Sequence, residues 1–503
     1  MSDDAQRLVV LGFDAGVPEL IVRWAGEGRL PTLARLMRNG ASARLSGEQT
    51  VSEHGFWAAV LSGLPLGEIG KCGYREILPG TYDLRPVQPL SAGPFFWNGP
   101  ARSGRRTVLL DVPSMVPDPS SAAVHVNWGP HGPEMPEGSH PEGLLSELEA
   151  KVPRLPIERD HIESDDSASD RRAFEELRDS VGVRGELVRL LIERERPDLL
   201  VAGFTEVHTA AHRLWRHHRG QPGSDPGLAD ALREIYQATD RELGRVIDAL
   251  PADAAVVVLA GVGVDDRQDV DPLTFGFCDA LGYRVRATGG RRPIDVARKL
   301  VPERLRALLA RRLSTDAQEG LMLDDLGQGT DWSGTRLYPI PDPDRTQLRV
   351  NLRGREPQGI VERGNEYEEL LERASEDLRA LQDPDSGEPL ITRVVRLRAL
   401  DGNPPLRTPD LVASWRPHVR FIERAVHPRG ELSQSTPGWA RFSGHGAACL
   451  LVACGPGIRA GLQLGEVDSL GVGPTLLALA GAPPDGSLPG DVLEQLLEPA
   501  PKR

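Results

Sequence analysis

Short apolar runs alternate with stretches of helical spacing along most of this chain. "RLVVLGFD" (7–14) is a continuous run of β-formers closed by Gly12 and Asp14, the pattern of a strand buried on both faces. "LPTLARLMRNGA" follows, with Leu33, Leu36 and Met37 at helical spacing and a stop at Asn39 and Gly40. "FWAAVLSG" predicts a second helix ending at Gly63, and "RRTVLLDVP" and "AAVHVNW" predict further strands. A charged amphipathic helix is expected over 170–196, then a buried strand "DLLVAGF" (198–204), a helix from Val207 and a long helix over 226–249. "AAVVVLAGVG" is the most apolar strand. Strand and helix in this alternation predict a mostly parallel sheet covered on both faces.

The rhythm breaks over 287–345, which is rich in Arg, Pro and Gly and contains the basic stretch "RRPIDVARKLVPERLRALLARRL". We expect an inserted cap subdomain there, between a first core part (1–286) and a second (346–503). In the second part "QLRVNL", "NEYEELLERASEDLRALQ", "DLVASW", "ACLLVACGPGI" and a helix over 474–481 resume the α/β pattern. The polar stretch 153–169 reads as a loop.

Composition narrows the class. The 503 residues carry a formal net charge of -14, which argues against nucleic-acid binding, whose footprint is a basic patch. Cys72, Cys278, Cys449 and Cys454 are spaced too widely for a disulfide framework or a CxxC metal site. The start "MSDDAQRLVVLGFD" lacks the basic and apolar regions of a signal peptide, and no apolar run approaches the ~20 residues of a membrane span. The expectation is a cytoplasmic protein acting on a small anionic substrate, with no nucleic-acid or membrane partner.

Ligands of parallel α/β sheets gather at strand carboxyl ends. There the sequence offers Asp14, Glu206, His208 and His212, Asp265 and Asp266, and His445 in the Gly-flanked loop "FSGHGA". His208 and His212 share a helix face, a spacing that suits two imidazoles on one metal ion and equally suits a solvated helix. His217 and His218 are expected at the surface. His445 would complete a tridentate site with a position open for water or substrate. His125 and His131, near "HVNWGPHGPE", read as structural. In "SEHGFW" (52–57), Ser52, Glu53 and His54 stand together, either as chemistry or as an N-cap with an acidic first turn.

"VVLGFDAGVPELIVRWAGEGRLPTLARLMRNGA", "FWAAVLSGLPLGEIG", "FTEVHTAAHRLW", "FSGHGAACLLVACGPGI" and "PTLLALAGAP" together resemble the type I phosphodiesterase/nucleotide pyrophosphatase family of the alkaline phosphatase superfamily. The resemblance implies an alkaline phosphatase-like three-layer α/β sandwich, a metal-binding role for Asp14, and metal ligands at His212 and His445. It also marks departures. His208 stands where the family has Asp, which leaves an all-histidine site. Gly261 and Val262 stand where the second metal's Asp-His pair belongs, so a second ion is expected to be absent unless Asp14 with Asp265 or Asp266 holds one. Glu53 stands where the nucleophilic Thr or Ser belongs, with Ser52 one residue away and Thr50 further off.

Three readings follow. The first is a metal-dependent hydrolase of a phosphate ester, phosphodiester or similar anionic bond, with one Zn²⁺ per chain (or Fe²⁺ or Mn²⁺) on His208, His212 and His445. In it Glu53 is the base or Ser52 the nucleophile, with His54 beside them. The second is a repurposed mononuclear metalloenzyme for group transfer, elimination or isomerisation. The third is a non-catalytic binding relative.

Overall fold

A computed structural model of the protein describes residues 7–129, 135–154, 166–267, 269–287, 326–327, 329–418, 421–434 and 443–499. The chain divides into two compact units, Met1–Pro65 with Gln88–Asp265 and His445–Arg503, and Leu66–Val87 with Asp266–Gly444.

The first unit is built on one nine-stranded sheet. Its strands in chain order are β1 (Arg7–Asp14), β2 (Ala41–Ser46), β3 (Thr107–Leu110), β4 (Val124–Asn127), β5 (Gly138–His140), β6 (Leu199–Phe204), β7 (Ala254–Gly261), β8 (Leu450–Cys454) and β9 (Leu462–Asp468). They lie side by side as β9-β2-β8-β7-β1-β6-β3-β4-β5. The run β7-β1-β6-β3-β4 is parallel throughout. β8 runs antiparallel to both of its neighbours. The mixed α/β class with a large, mostly parallel sheet is therefore as expected.

Helices α1 (Pro18–Gly26), α2 (Pro31–Asn39), α4 (Ser167–Glu195), α5 (Glu206–Arg219) and α6 (Ala231–Asp248) bury their apolar sides together with the strands in one large core. α3 (Glu53–Ser62) is apolar nearly all round and almost wholly buried, and it packs against α7 (Val472–Leu479). Ser52 caps it by accepting a hydrogen bond from the Gly55 N–H at 2.7 Å, and Gly63 ends it in the left-handed conformation.

Two glycines fix how close α3 comes to the sheet. A Cβ on Gly12 of β1 would fall 2.8 Å from the Trp57 indole, and one on Gly261 of β7 would fall 2.1 Å from the Phe56 ring. The missing side chains let both rings come against the strands, and burying each ring contributes roughly 1.5–3 kcal/mol. This seat sets Trp57 over the strand that ends in Asp14.

The second unit has a four-stranded antiparallel sheet, ordered Leu337–Ile340, Arg345–Val350, Leu411–Trp415, Ile391–Arg396, with its own core around Leu348, Val350, Tyr367, Leu371 and Trp415. It therefore extends well beyond the expected 287–345 on both sides. Residues 346–444, expected in the main core, belong to this unit, where Arg345–Val350 pairs with both Leu337–Ile340 and Leu411–Trp415. Most of the expected insertion (288–325), with the basic stretch 290–313, lies outside the described residues, as do His131 and most of the expected loop 153–169.

Candidate metal centre

Three strand ends and one helix bring the site together. β6 ends at Phe204, and α5 begins two residues later, so its first two turns carry His208 and His212 on one face. That first turn is held from behind. Arg184 of α4 donates from Nε to the Glu206 carboxylate (2.7 and 2.6 Å) and from Nη2 to the Thr205 hydroxyl (2.9 Å). Further along α5, Arg213 and Arg216 donate to buried Asp170 at 3.0 and 2.8 Å. His217, expected at the surface, is buried and lies 3.0 Å from Asp170, because the carboxylate recruits it into the α4–α5 contact. His218 is half-buried and packs edge-on against Trp24.

The imidazoles of His208, His212 and His445 are all buried and converge. His212 Nε2 lies 3.2 Å from Nε2 of His208 and 3.2 Å from Nε2 of His445. The far edges of two rings are fixed by acceptors. His208 Nδ1 sits 2.8 Å from Asp14 Oδ2, and His445 Nδ1 sits 2.9 Å from the Val262 carbonyl oxygen. A carboxylate and a carbonyl only accept, so both Nδ1 atoms carry a proton, and in the neutral rings both Nε2 atoms present lone pairs inward. A single proton on His212 Nε2 can bridge only one of its two contacts, whereas one cation accepts three lone pairs. Tetrahedral Zn–N bonds of roughly 2.0–2.1 Å set nitrogens roughly 3.3 Å apart. The donor set thus fits a zinc-type ion.

Val262 holds its carbonyl in place from a left-handed conformation (φ 51°), which for a β-branched residue costs on the order of 1–3 kcal/mol. Ala15, directly after Asp14, is likewise left-handed at 49°.

The other expected residues fall as follows. Among the described residues, the group of potential ligands whose atoms all lie within 4.8 Å of one another contains only the three histidines, so Asp14, Glu53, Asp265 and Asp266 stand outside it. Asp14 Oδ1 accepts from Trp57 Nε1 at 2.8 Å. Glu53, largely buried, reaches to 3.8 Å from His445 Nε2 with Oε2 and to 3.4 Å from His54 Nε2 with Oε1. Ser52 is fully buried as the α3 cap. The Thr50 hydroxyl, also buried, donates to the Gly47 carbonyl at 3.0 Å. His125 lies buried in β4, and burial pulls its pKa down to about 4. Trp57 and Val262 are the two contributors that sequence reasoning did not assign.

The family model for "Type I phosphodiesterase / nucleotide pyrophosphatase" matches residues 8–440. The chain belongs to this family. Phosphodiesterase and pyrophosphatase chemistry is hydrolytic and in this family generally metal-dependent, and this member is an enzyme of that hydrolase type. None of the curated proteins shows significant sequence similarity to the chain. Among solved structures, an inactive murine ectonucleotide pyrophosphatase/phosphodiesterase 5 in complex with AMP is similar, at 12% identity over 98% of this chain and 100% of that one (TM-score 0.47). Phosphonoacetate hydrolase from Sinorhizobium meliloti, in complex with phosphonoacetate, is similar at 14% identity over 95% of each chain (TM-score 0.49). Gly261 supplies a close seat for Phe56, and Val262 a carbonyl for His445.

Proposed function

We propose that the protein hydrolyses a phosphate ester, phosphodiester or related anionic bond at a mononuclear centre, with His208, His212 and His445 holding one Zn²⁺ ion. The observation that carries this reading is the convergence of three buried Nε2 atoms, two of them fixed as lone-pair donors by hydrogen bonds at Nδ1. When bound, a zinc-type ion supplies a Lewis acid that polarises a substrate oxygen and lowers the pKa of water. Three neutral imidazoles place no anionic ligand on the ion itself, which suits it to an oxygen of a small anionic substrate. Fe²⁺ and Mn²⁺ are the alternative occupants.

Glu53, beside His445, serves as the general base. Its carboxylate takes a proton from the attacking water, the water oxygen bonds to phosphorus, and the bond to the leaving oxygen breaks. The proton then passes to that leaving oxygen. His54 orients the carboxylate from the Oε1 side. Ser52 stays the cap of α3, since its hydroxyl oxygen is already held by the Gly55 N–H. The same tied hydroxyl, with Gly261 and Val262 in the second-metal positions, favours a second reading in which the centre performs group transfer, elimination or isomerisation. The reading places the protein in the cytoplasm, where Cys72, Cys278, Cys449 and Cys454 stay reduced.

The test is turnover of chromogenic phosphodiesters and of pyrophosphate substrates by metal-stripped and zinc-reloaded protein. Turnover that appears on reloading and is lost in His212→Ala supports hydrolysis. Retained metal with no turnover of any ester moves the assignment to the second reading.

A further inference from the structure

We propose that Asp14 and Trp57 form a positioning relay behind His208, so that Asp14 is an outer partner of the centre and the centre takes one ion, not two. This rests on the three-histidine site proposed above.

Both oxygens of Asp14 face protein donors at 2.8 Å, Oδ2 the Nδ1 of His208 and Oδ1 the indole N–H of Trp57. An indole nitrogen only donates, so Trp57 fixes which way the carboxylate turns. Asp14 in turn keeps the His208 proton on Nδ1 and its lone pair on Nε2, facing His212. One strand builds both parts of the relay. β1 ends in Asp14 and, two residues earlier, provides Gly12, whose missing side chain makes room for the Trp57 ring.

The neighbouring strand repeats the logic without a carboxylate. Gly261 lies opposite Asp14 in register, and the next residue, Val262, turns its carbonyl to His445 Nδ1. Adjacent strand ends therefore each hold an acceptor behind one imidazole. The positions that would furnish a second ion's donors orient the ligands of the first. Outer acceptors of this kind typically cost 10–100-fold in metal affinity when removed.

The experiment titrates apo protein with Zn²⁺ against a competing chelator, and with Co²⁺ followed by its visible absorption, for wild type, Asp14→Asn and Trp57→Phe. Phe removes the N–H and also the outer ring that meets Gly12, so thermal denaturation of this variant is read beside its metal affinity. Wild type should bind one equivalent. Asp14→Asn should still saturate at one equivalent, with affinity lowered 10–100-fold and a shifted Co²⁺ band, changes that a purely structural role would not produce. Trp57→Phe should weaken binding in the same direction by a smaller factor, and it carries the test if Asp14→Asn fails to fold. Affinity of Asp14→Asn within twofold of wild type overturns the relay. So does a wild type that binds two ions with Asp14→Asn binding one, which would make Asp14 a ligand. A wild type that binds none overturns the three-histidine site itself, and the relay with it.

Discussion

Arg184 and His212 are both buried in the first unit, and both act on α5, yet their surroundings are built on opposite principles. Arg184 has five N–H donors and each finds an acceptor: Glu206 from Nε, Asp111 and the Gly203 carbonyl from Nη1, the Gly129 carbonyl and the Thr205 hydroxyl from Nη2. Burial works against its charge, but the carboxylates of Glu206 and Asp111 outweigh it and hold the guanidinium charged above its usual range. The cluster is closed. Around His212 three imidazoles turn nitrogens toward one another at a spacing that suits an ion between them. Burial and polarity are common to both clusters. What separates a structural network from a candidate site is whether its donors and acceptors match without a further atom.

Breaking the closed cluster should have the largest effect. Arg184→Met leaves Asp111 and Glu206 as buried carboxylates without their cation and should lower stability by about 3–5 kcal/mol in urea denaturation. A loss below about 1 kcal/mol would show that the network is not the anchor of the α5 first turn. On the open side, Glu53→Gln should lower kcat by roughly 10²–10⁴-fold while bound metal is unchanged. Wild-type kcat in that variant would remove Glu53 as the base.

His125 sharpens the contrast, as a lone buried imidazole kept neutral by burial with its pKa down to about 4. Between about pH 6.5 and 4 the unfolded chain binds a proton that the folded one does not, so stability falls as pH falls through that window. The loss by pH 4 is about 3 kcal/mol, and His125→Leu should shrink it in acid-dependent denaturation. An unchanged acid limb would contradict this. The smallest effect is expected from Ser52→Ala, which removes a helix cap at about 1 kcal/mol and leaves turnover near wild type. Abolished turnover with metal retained would restore Ser52 as a nucleophile.

Much of this was legible in the sequence. "RLVVLGFD" and "AAVVVLAGVG" announced the two central strands, and the i, i+4 spacing of His208 and His212 announced a shared face. The cap reading of Ser52 was legible as well, because capping is local. The role of Asp14 was not. It depends on an indole 43 positions away and an imidazole 194 positions away, and no local pattern encodes either contact. Arg184 was hidden for a similar reason, as one charge among many on a helix that read as charged and amphipathic. The membership of Leu66–Val87 in the second unit was not legible, because it rests on contacts with residues far along the chain.

The central claim is that three histidines, and only those three, hold one ion. Metal analysis of purified, zinc-reloaded protein beside His212→Ala tests it most directly. The account predicts one zinc per chain in wild type and none retained in the variant, with the variant still folded. Two ions in wild type, or an undiminished ion in His212→Ala, would contradict it.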